Sequence, residues 1–110
     1  MSGDLTRADR RDEYHQVLRI VDANTGGAQP ALASVSSITQ IASSAGVTEP
    51  GKRLRAAVEN DDVVTLEGRV CLAEPEAIRA AIEAEAQSEH PREDRIGWLN
   101  RVLQEVKDGE

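Results

Sequence analysis

ITQIASSAGVTEPGKRLRAAVENDDVVTLEGRVCL, residues 38–72, holds two short amphipathic segments joined across a glycine, then two apolar runs flanking Glu67-Gly68. The first segment predicts a helix that opens at Ser36 or Ser37. Ser37 with Gln40 three residues on is a capping-box pattern, in which side chains satisfy amides that the helix start leaves open. Ile38, Ile41, Ala42 and Ala45 recur at helical spacing and predict its buried face. Gly46 ends it, since glycine turns left-handed without steric cost. Val47 follows as an apolar plug beneath the turn. Thr48 is a good N-cap for the next helix, with Pro50 tolerated in the first turn. Leu54, Ala57 and Val58 predict the inner face of that helix, through about Asn60.

Val63-Val64-Thr65-Leu66 and Arg69-Val70-Cys71-Leu72 read as two strands around a two-residue hairpin turn. Pairing across it sets Thr65 opposite Val70 and Val63 opposite Leu72 on one face, with Val64, Leu66 and Cys71 on the other. Both faces are apolar, so a second layer is expected over the far face, from the C-terminal segment or a partner subunit.

Outward from this centre, residues 1–5 are expected to be loose. Thr6 with Asp9 predicts a helix start, and Tyr14, Val17, Leu18 and Val21 predict its buried stripe, ending near Asn24 before Gly26 and Gly27. Gln29-Pro30 continues a loop. On the C-terminal side, Glu74-Pro75 opens a helix with Ile78, Ala81 and Ile82 facing inward, to about Ser88. Pro91 opens a last helix, with Glu93 and Asp94 in its first turn and Lys107 in its last, as the helix dipole favours. Ile96, Leu99, Val102, Leu103 and Val106 form a long apolar seam along it. The expected fold is mostly α with a small β-hairpin, in two parts: residues 1–73, and a helical segment 74–110.

The core must be built almost without aromatics, since the 110 residues include one Trp, one Tyr and no Phe. Aliphatic side chains bury less area each, which favours a buried dimer interface as a supplement. The net charge is −7, from 13 basic and 20 acidic side chains, and only Lys52 and Lys107 of the basic set are lysines. This acid-rich, lysine-poor, alanine-rich composition resembles that of salt-loving archaea and, less specifically, of high-GC bacteria. Residues 73–110 alone hold 10 acidic against 5 basic side chains, so a nucleic-acid face would have to lie in the first two thirds. The single cysteine excludes an internal disulfide, and no apolar run approaches the length of a membrane span. With no signal-peptide pattern either, the expectation is a soluble, cytoplasmic protein without membrane contact.

Helix, helix, helix, hairpin is the order of a winged helix-turn-helix domain. Ile38 to Thr48 resembles the helix-turn-helix core of archaeal and bacterial transcriptional regulators of the broad PadR-, MarR- and ArsR-like class. Arg55 to Val64 with the hairpin resembles a recognition helix running into its wing. The resemblance covers about residues 10–72. It departs at Lys52, where such regulators usually carry a β-branched apolar residue. It implies sequence-specific binding of double-stranded DNA by a dimeric transcriptional regulator, with residues 49–60 in the major groove and the wing, 63–72, beside it. With Leu54, Ala57 and Val58 inside, helical geometry sets Lys52, Ala56 and Glu59 outside, Glu49 near them, and Arg53 and Arg55 on the flanks. The implied DNA-contacting residues are therefore Glu49, Lys52, Arg53 and Arg55, with Arg69 at the hairpin and Ser36, Ser37 and Thr48 offering amides and hydroxyls to phosphate. The resemblance also makes the last helix a dimerisation helix, through Ile96, Leu99, Val102, Leu103 and Val106. The competing reading is a winged-helix module of the transcription or replication machinery that binds protein and not DNA.

Other candidates carry less. Cys71 on a strand reads as a small core hydrophobe, with an oxidation switch as the minor alternative. His15 and His90 have no neighbouring ligand pattern, so no metal is expected. Asn24-Thr25-Gly26-Gly27 lacks the lysine of a phosphate loop, and no catalytic constellation stands out. Neither enzymatic activity nor a cofactor is expected.

Overall fold

In the computed structural model, which describes residues 7–26 and 29–109, the chain runs α1 (Arg7–Ala23), β1 (Ala33–Ser34), α2 (Val35–Ser44), α3 (Pro50–Glu59), β2 (Val63–Leu66), β3 (Arg69–Leu72), α4 (Pro75–Ala86) and α5 (Glu93–Asp108). The expected loose residues 1–5, the Thr6 cap and the Gly27 break lie outside the described residues. Five helices surround a three-stranded antiparallel sheet of order β1-β3-β2.

The sheet separates two apolar layers. Val17 and Val21 of α1, Ile38 and Ala42 of α2, Val47, and Leu54 and Ala57 of α3 pack with Val63 and Val70 on one sheet face. Val64 and Cys71 on the opposite face pack with Ile78 and Ala81 of α4 and Leu99 of α5. The hairpin register is the expected one, Val63↔Leu72, Val64↔Cys71 and Thr65↔Val70. Its two-residue turn sets Glu67 at φ 50° and Gly68 at φ 80°, the pair of positive angles that matches the twist of the strands. The C-terminal helices supply the second cover that an apolar far face demanded.

The turn between α2 and α3 closes on backbone hydrogen bonds. Val47 N–H donates to Ala42 C=O at 2.9 Å and Gly46 N–H to Ser43 C=O at 3.1 Å, with Gly46 at φ 92°. Together they satisfy carbonyls that the end of α2 leaves open, while Ala42 and Val47 enter the core. Nothing lies within 4 Å of a Cβ added at Gly46, so a side chain there meets backbone strain alone. Gly46→Ala is expected to lower stability by about 1–2 kcal/mol, with no change in fold by circular dichroism. A urea midpoint equal to that of the parent would contradict this. The end of α3 closes the same way: Asp62 N–H donates to Ala57 C=O at 2.9 Å and Asp61, at φ 61°, to Val58 C=O at 3.1 Å.

Five expectations need correction. The segment read as loop before α2 contains β1, which pairs Ala33 with Val70 and Ser34 with Arg69. Two residues are too short to show alternation, and the strand exists because β3 has an edge to pair. The cap of α2 is then Ser34, not Ser36 or Ser37: its Oγ accepts the Ser37 N–H at 3.1 Å, so the helix begins one to two residues early. Ile41 and Ala45 are exposed, and only Ile38 and Ala42 of the expected α2 face are buried. The cap position of α3 is Glu49 in a left-handed conformation and not Thr48, because Pro50 takes the first helical position. Finally, α5 opens at Glu93 behind Arg92, two residues after Pro91.

Candidate functional site

The exposed face of α3 is built by the burial of its other face. Leu54 and Ala57 anchor the helix against the first core layer, and a rotation of about 100° per residue then turns Lys52, Arg55 and Glu59 outward. All three are exposed. Lys52 Nζ lies 3.8 Å from Glu49 Oε1 in a solvent-facing pair. Such a pair is worth at most about 1 kcal/mol, so the ammonium group remains free to exchange Glu49 for another anion. Arg53 is half-buried on the flank, its Nε enclosed and without an acceptor among the described residues. Cationic side chains are confined to Lys52, Arg53 and Arg55 in α3. Glu59, Asp61 and Asp62 occupy its C-terminal end and the following turn.

The structure does not bring the remaining expected residues to this face in the expected way. Thr48 is exposed, but its N–H donates to the Glu13 carboxylate of α1, so that amide is not open to a phosphate. Ser36 and Ser37 are exposed at the start of α2, with Ser37 Oγ accepting from Ser34 Oγ at 2.8 Å. Arg69 is the clearest departure. It pairs with Leu66, so it lies on the sheet face of Val64 and Cys71, turned toward α4 and α5 and away from α3. It lines a cavity there with Leu66, Ala81, Arg95 and Leu99. The strand alternation already assigned Leu66 to that face, and Arg69 directly opposite had to follow it.

Comparison with family models, with curated proteins and with solved structures returned no match to this chain. Its function has to be argued from its own geometry.

Several polar contacts were not legible in the sequence. Tyr14 Oη donates to an Asp62 carboxylate oxygen and accepts from Asn60 Nδ2 at 3.3 Å, tying α1 to the turn after α3. Partial burial, then the Asp62 carboxylate, raise the Tyr14 pKa above its ordinary value. At the hairpin tip, Glu67 is held by Arg95 and lies 3.9 Å from Arg92, both at the start of α5. The tip is therefore fastened to the C-terminal helices. Opposite charges 25 or more positions apart leave no periodicity by which to find them.

The expected seam on α5 is divided. Leu99 is fully enclosed within the chain, which corrects its assignment to a subunit interface. Val102, Leu103 and Val106 pack only partly against the same cluster, joined by Trp98, which the seam had omitted, and Ile96 is half-buried. His15 packs edge-on against Tyr14, with ring centroids 5.8 Å apart, and His90 is exposed. No helix among the described residues is long and apolar enough to cross a membrane.

Proposed function

We propose that this chain is a winged helix-turn-helix transcriptional regulator that binds duplex DNA as a homodimer, with α3 entering the major groove. One observation carries the proposal. The order α1-β1-α2-α3-β2-β3, with its β1-β3-β2 sheet, holds α3 by Leu54 and Ala57 while Lys52 and Arg55 face solvent. A helix so held, with cations on its open side, suits phosphate and guanine contacts in the groove. The half-buried row of Trp98, Val102 and Val106 on α5 supports pairing of two copies, and a two-fold protein suits two half-sites on a duplex.

The acidic surface limits the affinity. At about 1 M salt the screening length falls to about 3 Å, so in a saline cytoplasm the acidic C-terminal helices would repel DNA little and short-range contacts would dominate. With few cations on α3, the logarithm of affinity should fall only shallowly with that of salt, at about 0.9 per phosphate neutralised. Binding to random genomic duplex, followed by fluorescence anisotropy, tests the proposal. The combined Lys52→Ala, Arg53→Ala and Arg55→Ala variant is expected to bind at least about tenfold more weakly. A slope typical of six or more phosphate contacts would count against this picture.

A hairpin tip held to α5 through Glu67, with Arg69 turned to the far sheet face, favours a second reading. In that reading the same fold docks onto a protein of the transcription or replication machinery without touching DNA. If neither the parent nor the triple variant binds duplex at any salt concentration, the second reading stands.

A further inference from the structure

We propose that the cavity between the hairpin tip and the α4–α5 corner binds a small monocarboxylate with an aliphatic body, whose carboxylate pairs with Arg69 and Arg95 on its rim. The cavity measures about 460 Å³, within the usual range of small-molecule sites. Its floor is apolar, formed by Ala31, Leu32, Leu66, Ala81 and Leu99. Its rim carries Arg69, Arg92 and Arg95. An apolar floor beneath guanidinium groups matches a ligand that is apolar at one end and anionic at the other.

Three observations favour a carboxylate beside Arg95. Its Nε is enclosed and has no acceptor among the described residues. Glu67, its partner at the hairpin tip, is half exposed, and an ion pair open to water holds only weakly. Arg69 on the same rim makes no ion pair with a described residue. An incoming carboxylate therefore gains the unpaired Arg69, and competes for Arg95 only with a half-exposed side chain.

The lining also selects the charge of the ligand. Glu85, 3.3 Å from Arg95, and Glu89 both line the cavity, and these carboxylates disfavour a dianion such as phosphate while tolerating a single negative charge. The site does not depend on the duplex proposal, and its test contains no DNA, so either can fail alone.

The test is a titration of the full chain with octanoate, observed through the arginine Nε–H and backbone N–H resonances. Saturable shifts of the Arg95 Nε–H and the Gly68 amide are expected at millimolar ligand, with octanol binding at least about tenfold more weakly for want of the carboxylate. Ala84→Phe, at an exposed helical position lining the cavity, is expected to weaken octanoate binding about tenfold by filling its space. Arg69→Gln is expected to weaken it severalfold while leaving the folded spectrum intact. If Arg95 Nε–H does not move, or if octanol binds as tightly as octanoate, the proposal is overturned.

Discussion

Leu99→Ala is expected to destabilise the fold by about 2–5 kcal/mol, to the same extent at two protein concentrations tenfold apart. Leu99 is 0% exposed within a single chain, enclosed by Val64 and Cys71 of the hairpin and Ile78 and Ala81 of α4. Truncation removes most of a buried side chain and leaves a cavity that the surrounding aliphatic groups only partly close. Against a total of about 5–15 kcal/mol for a domain, that loss is large, and it should lower the urea midpoint by roughly 1–3 M. Val102→Ala provides the comparison. Its side chain is only partly buried on the open side of α5, so its effect on the isolated chain should be smaller. Were Leu99 part of a subunit seam, its contribution would shrink as dilution separates the copies. A loss that disappears on dilution would contradict the enclosed position.

Stability should also fall by about 2–3 kcal/mol between pH 9 and 11 because of Cys71. Burial pushes this thiol from its ordinary value of 9.0 up to about 11, because a thiolate on the inner face of β3 would lose its hydration without gaining a partner. The raised value means that the folded state holds the proton more tightly than the unfolded one. The contribution is therefore fully present below pH 9 and is lost as pH rises through 11. Tyr14, also raised, acts with the same sign just above its ordinary value. The measurement is urea unfolding across this range, comparing parent, Cys71→Ala and Tyr14→Phe. Cys71→Ala should be less stable at pH 8 yet lose less on going to pH 11, and a slope unchanged from the parent would contradict the argument. The same burial leaves little thiolate at neutral pH, which argues against an oxidation switch at this position.

The hairpin shows where local chemistry suffices. Glu67-Gly68 admits a two-residue turn, that turn sets the register, and the register assigns every side chain of β2 and β3 to a face. Arg69 follows from the same rule. The resemblance to a winged helix had directed it toward DNA, while alternation had already placed it opposite Leu66. For the candidate site, the periodicity of α3 was enough to turn Lys52 and Glu59 outward, but it set Ala56 outside and Arg55 on a flank, whereas Arg55 is exposed and Ala56 half-buried. It was not enough to show that Glu13 would reach the Thr48 amide, since that contact depends on how α1 crosses the α2–α3 turn.

Apolar spacing together with cap and turn residues thus determined the five helices, the hairpin and its two apolar faces, because periodicity and turn chemistry act over a few residues at a time. Which surface met which stripe was decided only by the packed chain. The row on α5 has the same spacing whether it faces a second copy or the underside of the hairpin, and Leu99 lies beneath the hairpin because Val64 and Cys71 left an apolar face to cover. Two-residue β1 and the grip of Arg95 on Glu67 belong to the same class. Each joins groups brought together by folding, and such proximity leaves no mark on the local order of residues.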